Sequence, residues 1–493
     1  MSGFSTQLPY CLARRIVNLI NKIEIALMSS IDKKGGVNVI GKEPEKLNYD
    51  DIQGIVLQER PTPYAGTYVL LSIDNQQDGN VMLQRLLDEV TTASQWNTPH
   101  EGAWVNVGFT YQGLQKLGLP QSSLNSFDPE FREGMAARAA KLGDVNESSP
   151  EHWEDPLGTD KVDVALALFA SSKDALLQAE EAARRIHTEL SGVRVIYRLE
   201  VGMNPDGRTH LGFMDGISNP RIEGNHIPQA VGQETEIKAG EFLFGHLNES
   251  GTITQGPSPV ELGHNGCYLS LRKLHMRVAA FRRYLREQAD SKEEEELLAA
   301  KMVGRWPSGA PLSLAPEADD PALGDDFNRR NAFSYGDDLK GLKCPVSSHI
   351  RRAFPRDSLQ DTVVNVNIHR LIRRSTMYGP VLPKDVLEDD GQDRGLIFAG
   401  ICSSLSRQFE FIKTDWLNGG NFAGISTEKD PITGKNEGEG IFTIPDKPIR
   451  HRKKELPTFT ITKGGEYFFV PSMTALRWMA ELGQHTSKEE STC

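Results

Sequence analysis

Apolar residues in this chain recur with two alternating periods. Tyr68-Val69-Leu70-Leu71-Ser72-Ile73 is a short apolar run that predicts a strand, and Asp74 to Gly79 predicts a polar turn. Val81 to Val90 follows as a helix with Leu83, Leu86, Leu87 and Val90 on one side. The second occurrence is clearer. Val162, Val164, Leu166 and Leu168 alternate, which predicts a strand with these residues lining one face. Asp174 then opens a helix whose apolar stripe is Leu176, Ala179, Ala183, Ile186 and Leu190, with Gly192 as its stop. Val193 to Leu199 reads as another strand, and Leu396–Cys402 followed by Leu405–Trp416 repeats the strand-then-helix order. No Gly-rich phosphate loop follows the first strand, which argues against a dinucleotide fold. The pattern suits an α+β layer, helices on one face of an antiparallel sheet, built twice.

At 493 residues two domains are expected. The polar, turn-rich stretch from Gly224 to Gln233 is the natural boundary, giving units over 51–225 and 226–485. Residues 1–50 read as an extension and 486–493 as a polar tail. The four consecutive acids Glu293 to Glu296 read as a solvated helix face. The formal net charge of −12 disfavours a nucleic acid or anionic membrane as partner. The five cysteines (Cys11, Cys267, Cys344, Cys402, Cys493) are odd in number and lack CxxC spacing, which argues for a reducing compartment over a disulfide framework or a zinc site. Arg14-Arg15 resembles an export signal, but Asn18, Asn21 and Lys22 break the apolar stretch behind it, so a short amphipathic helix and a cytoplasmic protein are expected. No apolar run approaches the roughly 20 residues needed to span a bilayer.

Three segments carry candidate chemistry. His349 is followed by Arg351, Arg352 and Arg356, an imidazole beside guanidiniums that could pair with carboxylates; a basic surface turn would look the same. Asp215 stands in Leu211-Gly212-Phe213-Met214-Asp215-Gly216-Ile217-Ser218-Asn219-Pro220. There the glycines permit close approach to a flat ligand and Phe213, Met214 and Ile217 offer a dry wall. A carboxylate in that setting suits general acid/base work, or it caps a turn. Arg373-Arg374, amid Leu371, Ile372 and Met377, is a salt-bridged surface strand or a cation facing an anionic site.

Taken together, these segments resemble the dye-decolourising peroxidase family. Gly212-Phe213-Met214-Asp215-Gly216 is similar to its GxxDG signature, with Ile217, Asn219 and Pro220 also matching. His349 to Arg356 resembles its proximal-histidine segment, and Arg373-Arg374 with Tyr378-Gly379 its distal-arginine segment. Gly240 to Gly245 with Asn248-Glu249, Arg394 to Phe398, and Gln408 to Ile412 match in the same order. The resemblance runs from about residue 50 to about residue 480. Two departures stand out: Phe354 replaces the usual Asn before Pro-Arg, and Ser375-Thr376-Met377 replaces Gly-Ile-Pro.

The resemblance implies two ferredoxin-like α+β domains with one haem b per chain in the C-terminal half. His349 would be the fifth iron ligand, Asp215 the distal acid/base and Arg373 the distal cation. Leu396 and Phe398 would wall the distal pocket, Gly216 and Ile217 would border the cofactor, and Arg356 would pair with a propionate. A carboxylate on the histidine's other nitrogen is expected from Asp430 or Glu410. The implied reaction reduces hydrogen peroxide and oxidises bulky aromatic or dye-like substrates. The competing reading is a haem or iron carrier of the deferrochelatase kind, which has no need for Asp215 and Arg373 together. A homo-oligomer stays open.

Overall fold

The computed structural model describes residues 46–60, 62–98, 103–226 and 235–490. The amphipathic N-terminal helix, Cys11, Cys493 and most of the predicted boundary stretch lie outside them. Residues Leu47–Cys493 form one compact unit.

Nine strands make its main sheet: β1 (Ala65–Ile73), β2 (Ala103–Phe109), β3 (Val164–Ala170), β4 (Val193–Gly202), β5 (Cys267–Met276), β6 (Ile372–Arg373), β7 (Thr376–Tyr378), β8 (Gly395–Cys402) and β9 (Thr460–Val470). They pair in the order β5-β9-β2-β3-β1-β4-β7-β8, and β8 pairs again with β5, so the sheet closes into a barrel; β6 pairs with β8. Closure leaves few strand edges exposed. β1 to β4 come from the first half of the chain and the others from the second. The halves meet at two narrow seams, Phe109 opposite Phe469 and Gly202 opposite Met377.

Three helices, α1 (Gln76–Glu89), α2 (Lys173–His187) and α4 (Met473–Glu490), lie in the outer layer; α3 (His349–Ala353) stands apart from it. The Asn75 side chain caps α1 by accepting from the Asp78 amide at 2.8 Å, and Ser172 caps α2 through the Ala175 amide at 3.1 Å. Met82, Leu83 and Leu86 of α1 and Ala179, Ala183 and Ile186 of α2 pack with Val69, Leu71, Leu166 and Leu168 of the sheet. The opposite face, with Tyr68, Leu70, Ala165, Ala167, Phe169, Ile397 and Phe468, forms a second, enclosed core.

This explains where the pattern differs from expectation. The alternation in β3 reports large against small side chains, not buried against exposed, because closure buries both of its faces. α2 ends at His187, before Leu190 and Gly192, and α4 continues into the segment read as a tail. The helix expected over Leu405–Trp416 has wide π-type turns, Leu405–Glu410 and Ile412–Leu417. No helix among the described residues is long and apolar enough to cross a membrane.

Candidate active site

Where α1, α2 and α4 leave the barrel's outer face uncovered, β5 and β8 line a cavity of about 280 Å³. Strand alternation puts Leu396 and Phe398 of β8 on this lining, with Arg272, Leu274 and Met276 of β5, while Ile397 and Ala399 turn into the enclosed core. Phe213, Met214, Ile217 and Ile432 add further apolar surface.

His349 opens α3 and lines the same cavity. Its Nδ1 donates to Asp430 Oδ2 at 2.8 Å. Asp430 is fully buried, and its Oδ1 accepts from the amides of Ile432 (2.9 Å) and Thr433 (2.7 Å) and from the Thr433 hydroxyl (3.1 Å). Burial pushes this carboxyl up, but the imidazole beside it and these donors outweigh that and hold it below the usual carboxylate range. A fixed proton on Nδ1 leaves Nε2 as the lone-pair nitrogen, and Nε2 has no hydrogen-bond partner among the described residues. Glu410 is not the histidine's partner. It bonds instead with Arg138, with Lys141 (2.9 Å) and with the Tyr467 hydroxyl (3.0 Å).

The GxxDG segment brings Asp215 to the cavity on a backbone that needs its glycines, since Gly212 and Gly216 have φ of +91° and +74°. Arg373 on β6 meets it, with Nη1 3.2 Å from Asp215 Oδ1. Asn219 of the same segment accepts from the Arg373 amide at 2.9 Å, which locks the two segments together. Both charged side chains stay about one-third exposed (29% and 33%). Ile217 lines the main cavity. Gly216 instead lines an adjoining polar cavity of about 150 Å³ that shares Thr209, Asp215, Arg373 and Ser375 with it.

The arginines divide by role. Arg374 turns away and donates to the carbonyls of Ile55 and Val56, its guanidinium pulled down to about 10 by burial. Arg351 and Arg352 are also buried, bonded to the carbonyls of Cys344 (2.6 Å) and Trp416 (2.6 Å). Of the three that follow His349, Arg356 alone lines the cavity. It adopts a left-handed φ of +50°, a strain of about 1–2 kcal/mol, offset by bonds to the carbonyls of Asn331 (3.2 Å) and Phe333 (3.1 Å). Phe354 sits between two guanidiniums, Arg370 at 3.7 Å and Arg356 at 5.1 Å from its ring. The other nearby imidazole, His369, is buried and stacked on Phe411 at 3.9 Å, and its Nδ1 bonds the Arg407 carbonyl; burial lowers its pKa. Reading the sequence did not find Arg272, Arg370 or Lys413, which line the cavity from separate segments; Arg370 and Lys413 stand beside matched segments, but nothing local shows that they face a cavity.

Among the described residues no cluster of three or more His, Cys, Asp or Glu could hold a bare metal ion. A lone imidazole suits a metal that brings its other ligands with it. The donor set of one free Nε2, apolar walls and cationic side chains on the lining fits haem, which presents one iron, a flat apolar ring and two carboxylates.

Residues 51–205 match the family model of the DyP dimeric alpha+beta barrel domain. A dye-decolorizing peroxidase of Mycetinis scorodonius is 31% identical over 401 residues, covering 76% of this chain and 75% of the relative. One from Mycena epipterygia is 32% identical over 417 residues, covering 76% of each. The crystal structure of a fungal DyP-type peroxidase from Auricularia auricula-judae superposes with a TM-score of 0.77 at 28% identity, covering 89% of this chain and 99% of that one. A dye-decolorizing peroxidase in complex with 2,6-dimethoxyphenol gives 0.76 at 29% identity, covering 88% and 100%. With its barrel, cavity and sequence in agreement, the chain belongs to the dye-decolorizing peroxidase family and is a haem peroxidase.

Proposed function

We propose that His349 holds the iron of one haem b per chain through Nε2, and that Asp215 and Arg373 act on hydrogen peroxide. Haem, when bound, supplies an iron that takes oxidising equivalents from peroxide and passes them on singly. The Asp215 carboxylate takes a proton from one peroxide oxygen and delivers it to the other, which leaves as water. The Arg373 guanidinium, charged at any working pH, stabilises the negative charge that grows as the O–O bond opens. Asp430 keeps the proton on Nδ1, orients the ring and makes Nε2 a stronger donor. Arg356 pairs with a propionate, and Ile217, Leu396 and Phe398 keep the cavity dry. The adjoining cavity at Gly216 gives peroxide a polar way in to Asp215 and Arg373.

Reducing substrates are aromatic, phenols and dyes, as the relative bound to 2,6-dimethoxyphenol suggests. The buried free cysteines Cys267, Cys344 and Cys402 favour a reducing compartment such as the cytoplasm. The narrow seams favour 51–225 and 226–485 as the two units of the barrel.

The observation that carries this reading is that His349, held from behind by Asp430, and the Asp215–Arg373 pair line one cavity. Its test is the visible spectrum of the purified protein before and after one equivalent of hydrogen peroxide. A Soret band that shifts with peroxide and returns on adding 2,6-dimethoxyphenol is expected. A Soret band that peroxide leaves unchanged would favour the haem carrier instead.

A further inference from the structure

The Asp215–Arg373 pair is lightly held by its own side chains. Among the described residues the Arg373 guanidinium bonds only Asp215, and both side chains are partly exposed. The backbone around Arg373 is held more firmly, by a segment from the first half of the chain. The carbonyls of Ile55 and Val56 accept from the Arg374 side chain. Arg60 donates to the Arg374 carbonyl at 2.9 Å and to that of Ser375, and its guanidinium rests 4.4 Å from the Tyr64 ring and 4.6 Å from that of Phe169. Glu59 reaches Arg373 itself. Its Oε1 accepts from Asn219 Nδ2 at 3.1 Å, and Asn219 Oδ1 accepts from the Arg373 backbone N–H at 2.9 Å.

Glu59 and Asp215 are the two carboxylates on the adjoining polar cavity among the described residues. Glu59 makes no ion pair and no other side-chain hydrogen bond among them. Its charge offsets part of the burial of the Arg330 and Arg374 guanidiniums, a counter-ion role that needs no contact with Asn219. The contact does something more specific. A carboxylate only accepts and a backbone N–H only donates, so the Asn219 amide, 4% exposed, fits between them one way round. Asn219 stands four residues after Asp215, so this amide ties the turn of one catalytic group to the strand of the other.

We propose that Glu59 is a positioning residue of the peroxide reaction: through Asn219 it holds the Arg373 strand where the guanidinium meets Asp215. The inference rests on reading Asp215 and Arg373 as the groups that act on peroxide. It is tested on the holoenzyme by stopped-flow mixing with hydrogen peroxide across pH. Glu59→Ala is expected to slow the reaction by about 10- to 100-fold, the cost of a small misplacement of a reacting group. The factor is the same at every pH, because the contribution lost is the guanidinium's. Glu59→Gln keeps an acceptor for Asn219 without the charge, and restores the parent rate. In the Arg373→Leu background Glu59→Ala costs nothing further, since the group it positions is gone. Should Glu59→Ala not fold, Asn219→Ala cuts the same link at its other end and is expected to lose the same factor. A parent rate in the folded variant, or an equal loss with and without Arg373, overturns the inference. So does a Glu59→Gln variant as slow as Glu59→Ala, or a flattened pH profile: either makes Glu59 a charge or a proton carrier, not a brace. Arg373→Leu reacting at the parent rate would instead sink the reading of the pair.

Discussion

Two aspartates of the site, Asp215 on the cavity lining and Asp430 behind His349, are held in opposite ways. Asp430 is sealed from solvent and accepts four hydrogen bonds, one from His349 and three from Ile432 and Thr433. Among the described residues Asp215 has a single side-chain partner, Arg373, and its side chain is 29% exposed. A carboxylate so enclosed is a fixed charge: it can orient an imidazole and stay ionised. One that is lightly held and faces the cavity is placed to act on a substrate's proton. The same residue type thus serves two tasks, and the number of donors around it separates them.

The largest test of this contrast removes what Asp430 supports. His349→Ala is expected to abolish stable haem binding, seen as loss of the Soret band after purification, whereas His369→Ala keeps it, since His369 is stacked on Phe411. A full Soret band in the His349 variant would reverse the assignment.

Next come the residues that face the cavity, Asp215 and Arg373. Asp215→Asn is expected to slow the reaction with peroxide by about 10²- to 10⁴-fold, and Arg373→Leu by about 10²- to 10³-fold. Stopped-flow mixing separates them: the arginine's loss is similar at every pH, while loss of the aspartate flattens the pH profile. Parent rates in both variants would mean that neither residue acts on peroxide.

The fixed charge has a smaller, different signature. Asp430→Asn is expected to weaken metal retention by roughly 10- to 100-fold and to raise the iron's reduction potential, because a neutral partner makes the imidazole a weaker donor. Glu410→Gln should leave the potential alone and lower the thermal midpoint, since that carboxylate serves Arg138, Lys141 and Tyr467. Spectroelectrochemical titration of both variants distinguishes the two roles.

The smallest effect is in acid. Folding lowers the Asp430 pKa below its ordinary 3.8, so its contribution is complete above that pH and is lost as pH falls through the folded value. Asp430→Asn should therefore destabilise the apoprotein at pH 7, on the order of 1 kcal/mol, and by less at pH 3. Urea unfolding at the two pH values reads the difference; an equal loss at both would mean the carboxyl is not held ionised.

Local sequence carried some of this and not the rest. The i, i+2 spacing of Leu396 and Phe398 already placed them on one face of a strand, and the glycines around Asp215 announced an unusual turn. Arg351, Arg352 and Arg356 look alike in sequence, yet two are tied to buried carbonyls and one lines the cavity. In sequence, only the resemblance of its segment to a family turn favours Asp430 over Glu410 as the partner of His349; which acid meets a ring nitrogen 81 or 61 residues away is decided by how chain segments cross.

What the sequence determined by itself was the set of local periods, the strand-helix order and the three segments that hold His349, Asp215 and Arg373. These are properties of neighbours along the chain: side-chain alternation, backbone freedom at glycine, charge beside apolar residues. Only the tertiary structure decided that the two halves close one barrel, that β3 is buried on both faces, that Asp430 meets His349, and that Arg272 and Lys413 line the same cavity as that histidine. Burial and electrostatic pairing depend on distances through space, and residues far apart in sequence set those distances together.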